Sequence, residues 1–137
     1  MLRRNEKVEL IRHTPLFSTC SKRELQQIAR IADEIDLRQG KEMIREGSRG
    51  REFFVLLEGE AEVTKDGRHV NRLGPGDFFG EIALVSDSPR SASVTATSPV
   101  RTLVITGTSF KRLMADQPEI QRKVLVALAE RLAPEVL

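Results

Sequence analysis

Apolar positions change their spacing twice along the chain, dividing it into three stretches. In residues 1–33 the spacing is helical. Val8 and Ile11 fall on one side of a charged opening segment, as they would on one helical face. Pro15-Leu16-Phe17 interrupts that pattern. Ser21 with Glu24 then predicts a capping box, in which a hydroxyl and a carboxylate each satisfy a backbone N–H of a new helix. Behind it Leu25, Ile28, Ala29 and Ala32 make one apolar stripe.

From about 35 to 106 the pattern becomes one of short strands. Runs such as Met43-Ile44-Arg45 and Phe53-Phe54-Val55-Leu56-Leu57 are punctuated by Gly40, Gly47, Gly59, Gly74 and Gly76. Asp66-Gly67, between Glu62-Val63-Thr64-Lys65 and Arg68-His69-Val70, predicts a two-residue hairpin turn. Ser91, Ser93, Thr95 and Thr97 alternate with Ala92, Val94 and Ala96, which predicts a strand with one buried face. Many short strands at this spacing predict a sandwich or barrel.

Helical spacing returns over 108–133. Thr108-Ser109 is expected to cap a helix carrying Phe110, Leu113 and Met114. Pro118 and Glu119 suit the first turn of a last helix. Ile120, Val124, Leu128 and Leu132 recur along it, Leu125, Val126 and Ala129 widen its apolar face, and Pro134 is expected to stop it. With no repeat or linker between these stretches, residues 1–137 are expected to form one domain.

Composition narrows the chemistry. The 137 residues carry a net charge of +2, and the pI is near 9, but cations and anions are interleaved along the chain. Phenylalanine is the only aromatic residue, so a base-stacking platform is not expected, nor is direct nucleic-acid binding. Cys20 is the single cysteine, which excludes an internal disulfide and fits a reducing cytoplasm. His13 and His69 lie far apart and form no ligand pair; no metal or cofactor is expected. No evident nucleophile–base pair supports an enzyme. No apolar run reaches membrane-spanning length, and Met1-Leu2-Arg3-Arg4-Asn5 does not introduce a signal-peptide core.

The chemistry concentrates in residues 78–96. Gly80 permits a close backbone approach, Glu81 opens the helix-prone run Glu81-Ile82-Ala83-Leu84, and Pro89 precedes Arg90. Amides at a helix start favour an anion, and an arginine fork matches phosphate oxygens two at a time. A carboxylate beside a phosphate makes sense if it faces a neighbouring hydroxyl pair. Together these residues suggest a compact nucleotide.

The ordered string Phe79 to Leu84, then Pro89-Arg90, Ala92, Val94 and Ala96, resembles the phosphate-binding cassette of cyclic nucleotide-binding domains, as in cAMP receptor proteins and protein kinase A regulatory subunits. The Pro-Leu-Phe corner, the Glu46-Gly47 turn, and Phe54 and Leu57 ahead of Glu58-Gly59 extend the resemblance over most of the chain. It implies a mainly β fold with flanking helices. A double-stranded β-helix, or jelly-roll β-barrel, at 35–106 would stand between N-terminal helices (1–33) and two C-terminal helices (108–133). The implied function is a non-catalytic regulatory module for a cyclic nucleotide, with cAMP expected over cGMP. In the cassette, 79–92, Glu81 would take the ribose 2′-hydroxyl and Arg90 the cyclic phosphate. Gly80, Ile82 and Ala83 would act through their amides, and Ser91 and Ala92 would add a hydroxyl and an amide.

Ser91 follows the phosphate arginine, where family members carry threonine, alanine or serine, and a serine there does not by itself decide between cAMP and cGMP. Val63 and Val70 are placed against the purine, although both would also serve as core. Either Arg131 or Leu128 is implied as a cap on the base, with a solvated charge at a helix end the other reading of Arg131. The last helix would signal occupancy to a separate effector protein or through a homodimer, since little chain follows it. The alternative is a ligand-independent interaction or dimerisation module on the same fold.

Overall fold

A computed structural model describes residues 4–136, with side chains for 5–131. Met1 to Arg3 and Leu137 lie outside the described residues, as does the side chain of Leu132 expected on the last helix's apolar face. Two helices, α1 (Arg4–Arg12) and α2 (Lys22–Ile31), precede the strands β1 (Asp33–Leu37), β2 (Glu42–Ile44), β3 (Glu52–Glu58), β4 (Ala61–Lys65), β5 (Arg68–Leu73) and β6 (Phe78–Phe79). A short helix α3 (Glu81–Ser86) interrupts them before β7 (Ser93–Ala96) and β8 (Val100–Thr106). Two helices, α4 (Gly107–Asp116) and α5 (Pro118–Val136), follow.

The strands pair as a nested series: β1 with β8, β2 with β7, β3 with β6 and β4 with β5, all antiparallel. A long ribbon of such pairs rolls up when β8 also joins β3 and β7 also joins β4. The result is two four-stranded sheets, β1-β8-β3-β6 and β2-β7-β4-β5. This is the expected jelly roll, in which rolling the ribbon manages its edges.

The run Phe53 to Leu57 shows why the roll has two cores. Successive side chains on a strand point to opposite faces. Phe53, Val55 and Leu57 therefore pack with the helices, against Phe17, Leu25, Phe110 and Val124, while Phe54 and Leu56 fill the barrel with Ile44, Phe79 and Val94. Both faces of β3 are covered, so its burial is continuous rather than alternating.

Several local expectations hold. Ser21 Oγ accepts from Glu24 N, and Glu24 Oε1 accepts from Ser21 N at 2.7 Å, completing the capping box. Asp66 and Gly67 both take positive φ, 52° and 76°, as a tight hairpin turn requires. Val94 and Ala96 are the buried positions of β7.

Two helix boundaries differ. Thr106, not Thr108 or Ser109, caps α4, its hydroxyl accepting from Ser109 N at 3.2 Å. The hydroxyl must stand just before the first helical residue, and the helix starts at Gly107. α5 does not stop at Pro134 but runs to Val136; a proline costs a helix one N–H bond and crowds the carbonyl four residues back, and in the last turn little helix follows to be disrupted. The apolar face of α5 is also narrower than expected. Ile120 and Val124 are buried, whereas Leu125 and Val126 are 48% and 47% exposed.

Candidate functional site

β6 delivers the chain to the site by stacking Phe79 on Phe54 at 4.9 Å between ring centroids. Gly80 then takes φ 94° and caps α3. Only glycine fits there, because a Cβ would lie 2.8 Å from Glu52 O and 3.1 Å from Arg90 Nη1.

Arg90 returns from the loop after α3 and lies against this glycine. It is 5% exposed, which excludes a solvated loop charge. Nη1 donates to Gly80 O at 2.9 Å and Nη2 to Glu52 O at 2.7 Å. These bonds use two of the five N–H groups of a guanidinium, and it makes no ion pair with a described residue. Burial pushes its pKa down, opposed by the charges of Glu52 and Glu81. Desolvation of an unpaired cation has that sign. Such a group is suited to an anion brought in from outside.

Glu81 is fully buried, at 0% exposure. Its Oε1 is paired with Arg131 of α5, and Oε2 has no hydrogen-bond partner among the described residues. Arg131 also donates through Nη2 to Phe78 O at 2.5 Å and stands 5.1 Å above the Phe78 ring. It is thus a clamp between the last helix and the start of the cassette, not the solvated charge considered above. No sequence signal tied Arg131 to Glu81, because the two are 50 residues apart and nothing in the chain gives the register of α5 against α3.

A cavity of about 590 Å³ gathers these groups. Phe79, Gly80, Glu81, Ile82 and Ala83 line it together with Arg90, Ser91 and Ala92. Val63 and Val70 line it too: Val63 is half-buried and packs against the barrel core, whereas Val70 is 57% exposed. The register of β4 against β5 shifts between Val63 and Thr64, leaving Val70 without a partner in the ladder, as the extra residue of a bulge is. Across the cavity, α5 presents Ala127, Glu130 and Arg131. Leu128, the other cap considered, is not among the lining residues. Lys65, Asn71 and Glu130 also line the cavity, and no motif in the sequence singles them out. Lys65 precedes the hairpin turn and Asn71 stands within β5 opposite Val63; isolated polar residues are ordinary at both places, so nothing marked them.

Among the described residues no group of His, Cys, Asp and Glu is placed to hold a metal ion. No described helix is long and apolar enough to cross a membrane.

A site of this geometry has known counterparts. Residues 34–117 match the family model for the cyclic nucleotide-binding domain. The chain belongs to that family. It is 35% identical over 123 residues to the cAMP-dependent protein kinase regulatory subunit of Colletotrichum orbiculare, covering 88% of this chain and 32% of that relative. The chain thus spans about a third of that curated relative. The regulatory domain of Toxoplasma gondii PKA, crystallised with cAMP, superposes with a TM-score of 0.84 at 26% identity, covering 93% of this chain and 50% of that one. The regulatory subunit of a cAMP-independent protein kinase A from Trypanosoma brucei has the same fold, with a TM-score of 0.83 at 24% identity over 93% and 46% of the two chains. The cyclic nucleotide-binding domain is a regulatory module rather than an enzyme, as the sequence implied.

Proposed function

We propose that this domain binds cAMP and signals its occupancy through α5. One observation carries the reading: a single cavity joins a buried guanidinium that has no ion pair among the described residues to a buried carboxylate with one oxygen unsatisfied among them. A buried polar atom without a partner is costly and calls for an explanation. A ribose 2′-hydroxyl donating to Glu81 Oε2, with the cyclic phosphate on Arg90, answers both groups. Ile82, Ala83, Ser91 and Ala92 border the same space and would complete the phosphate end through amides and the Ser91 hydroxyl. Val63 and Val70, on the β4–β5 side, would meet the purine. The relatives named for cAMP, or crystallised with it, support cAMP over cGMP.

Arg131 gives α5 its part. Because it holds Glu81 Oε1, the helix reports on the same carboxylate that would hold the ribose. For regulation, the ligand must bind one arrangement of helix and cassette better than another. Effector and homodimer remain alternatives for what α5 contacts, and the exposed Leu125 and Val126 favour α5 as that surface. The same exposed pair supports the second reading, an interaction module that needs no ligand.

Calorimetry with cAMP on the wild type, Arg90→Ala and Arg90→Lys separates the two. Charge-assisted bonds contribute about 1.5–3 kcal/mol, so Arg90→Ala is expected to lose roughly 10- to 150-fold in affinity. Lysine should recover part of the charge but not the fork. Equal affinity in all three proteins removes the phosphate role of Arg90.

A further inference from the structure

Gly50 stands outside the motif, yet it lies directly against the guanidinium. Its φ is outside the left-handed region, so φ does not call for glycine there. The space around it is tight. A Cβ on Gly50 would lie 3.1 Å from Arg90 Nε, 3.2 Å from Nη2 and 3.5 Å from Cζ, with Gly80 closing the other side. Arg90 cannot give way without loosening its bonds to Gly80 O and Glu52 O.

The backbone around Gly50 is fastened to the same arginine. Gly47 N donates to Arg90 O at 2.8 Å, and Arg90 N donates to Ser48 O at 2.8 Å. Ser48 in turn folds back on Arg45 O through its N–H at 3.1 Å and its hydroxyl at 2.7 Å. Glu46 N donates to Ser93 Oγ, just beyond the cassette, at 2.9 Å. The segment therefore holds Arg90 by main chain and bounds it by an absent side chain.

We infer that the segment 45–50, between β2 and β3, is a positioning shelf for Arg90, and that Gly50 sets where its guanidinium points. The functional weight of this shelf rests on Arg90 taking the phosphate; its structural content does not. Gly50→Ala is the direct variant, because the three atoms nearest the added methyl all belong to the Arg90 side chain. Gly74→Ala is the matched control: that glycine also has an ordinary φ, and nothing lies within 4 Å of where its added methyl would stand.

Two readouts on the full chain decide the matter. The first is the Arg90 side-chain Nε–H resonance in ¹⁵N-labelled protein without ligand, assigned with Arg90→Lys. It should move, and its hydrogen exchange should quicken, in Gly50→Ala but not in Gly74→Ala. The second is calorimetry with cAMP. Gly50→Ala should weaken binding by about tenfold or more, since small misplacements of a polar group are costly. Added to Arg90→Ala it should change affinity by less than about twofold, because coupled residues are not additive.

An unmoved Arg90 resonance in Gly50→Ala overturns the shelf whether or not cAMP binds. So does a loss of binding from Gly50→Ala that persists undiminished in the Arg90→Ala background. A moved resonance in Gly50→Ala, with a wild-type chain that does not bind cAMP, keeps the shelf and discards the phosphate reading instead.

Discussion

Glu81 and Arg131 form the contact whose removal separates stability from binding most clearly. Arg131→Ala would leave a fully buried carboxylate without its cation. Breaking one side of a buried pair costs about 3–5 kcal/mol, and the cost here should fall toward the lower end because Arg131 is partly solvated. Urea unfolding should show that loss, and Glu81→Gln in the same protein should restore part of it. If Arg131→Ala unfolds at the wild-type midpoint, the clamp holds nothing. For the ribose role, Glu81→Ala should weaken cAMP much more than its 2′-deoxy analogue; equal losses would contradict the Oε2 assignment. Arg90 and Glu81 were legible because an ordered local string carries them. The Arg131 clamp was not, since it depends on how a distant helix docks. Val70 lines the cavity as expected but is exposed rather than core, and the register shift that leaves it unpaired is invisible to a two-residue period.

The elements that frame the site follow their sequence closely where a local rule governs them. The capping box of α2 is one such case, with a pH signature of its own. The pKa of Glu24 is lowered from 4.5, first by the hydrogen bond from Ser21 N and then by one with Gln117. A carboxylate whose folded pKa lies below its unfolded value adds stability that is complete above the unfolded value. That contribution disappears as pH falls through the folded one. The gap in stability between wild type and Glu24→Gln should therefore be constant near neutrality and shrink on acidification below about pH 4.5. Ser21→Ala should cost about 1 kcal/mol. Thermal melts of the three proteins from neutral to acid pH check both statements; a gap that grows on acidification would contradict the first. The other end of the chain was harder to read. Pro134 and the exposed Leu125 and Val126 show that periodicity alone fixes neither where α5 ends nor how much of its apolar face the roll covers.

Across the whole molecule, α5 is tied to two distant places. Lys123 Nζ donates to Pro15 O at 2.9 Å, at the corner between α1 and α2, while Arg131 reaches Glu81 and Phe78 at the cassette. Pro15 itself lines the cavity. A ligand that altered the cassette could therefore shift α5 and the N-terminal corner together, which gives the proposed signal a physical route. The jelly roll was accessible from the spacing of strands and turns, with the family resemblance fixing its type. The contacts α5 makes with the roll were not, because they depend on how these elements dock.

The most direct test of the account is a thermal-shift titration of the full chain with cAMP, cGMP and AMP. A ligand at about 100 times its dissociation constant adds roughly 2.7 kcal/mol to the native state. For a domain of this size that should raise Tm by roughly 5–15 °C. The account predicts such a rise with cAMP, a smaller one with cGMP and little with AMP, whose open phosphate cannot present the cyclic geometry. No shift with either cyclic nucleotide at millimolar concentration would contradict it, and would leave the exposed face of α5 as the surface to examine.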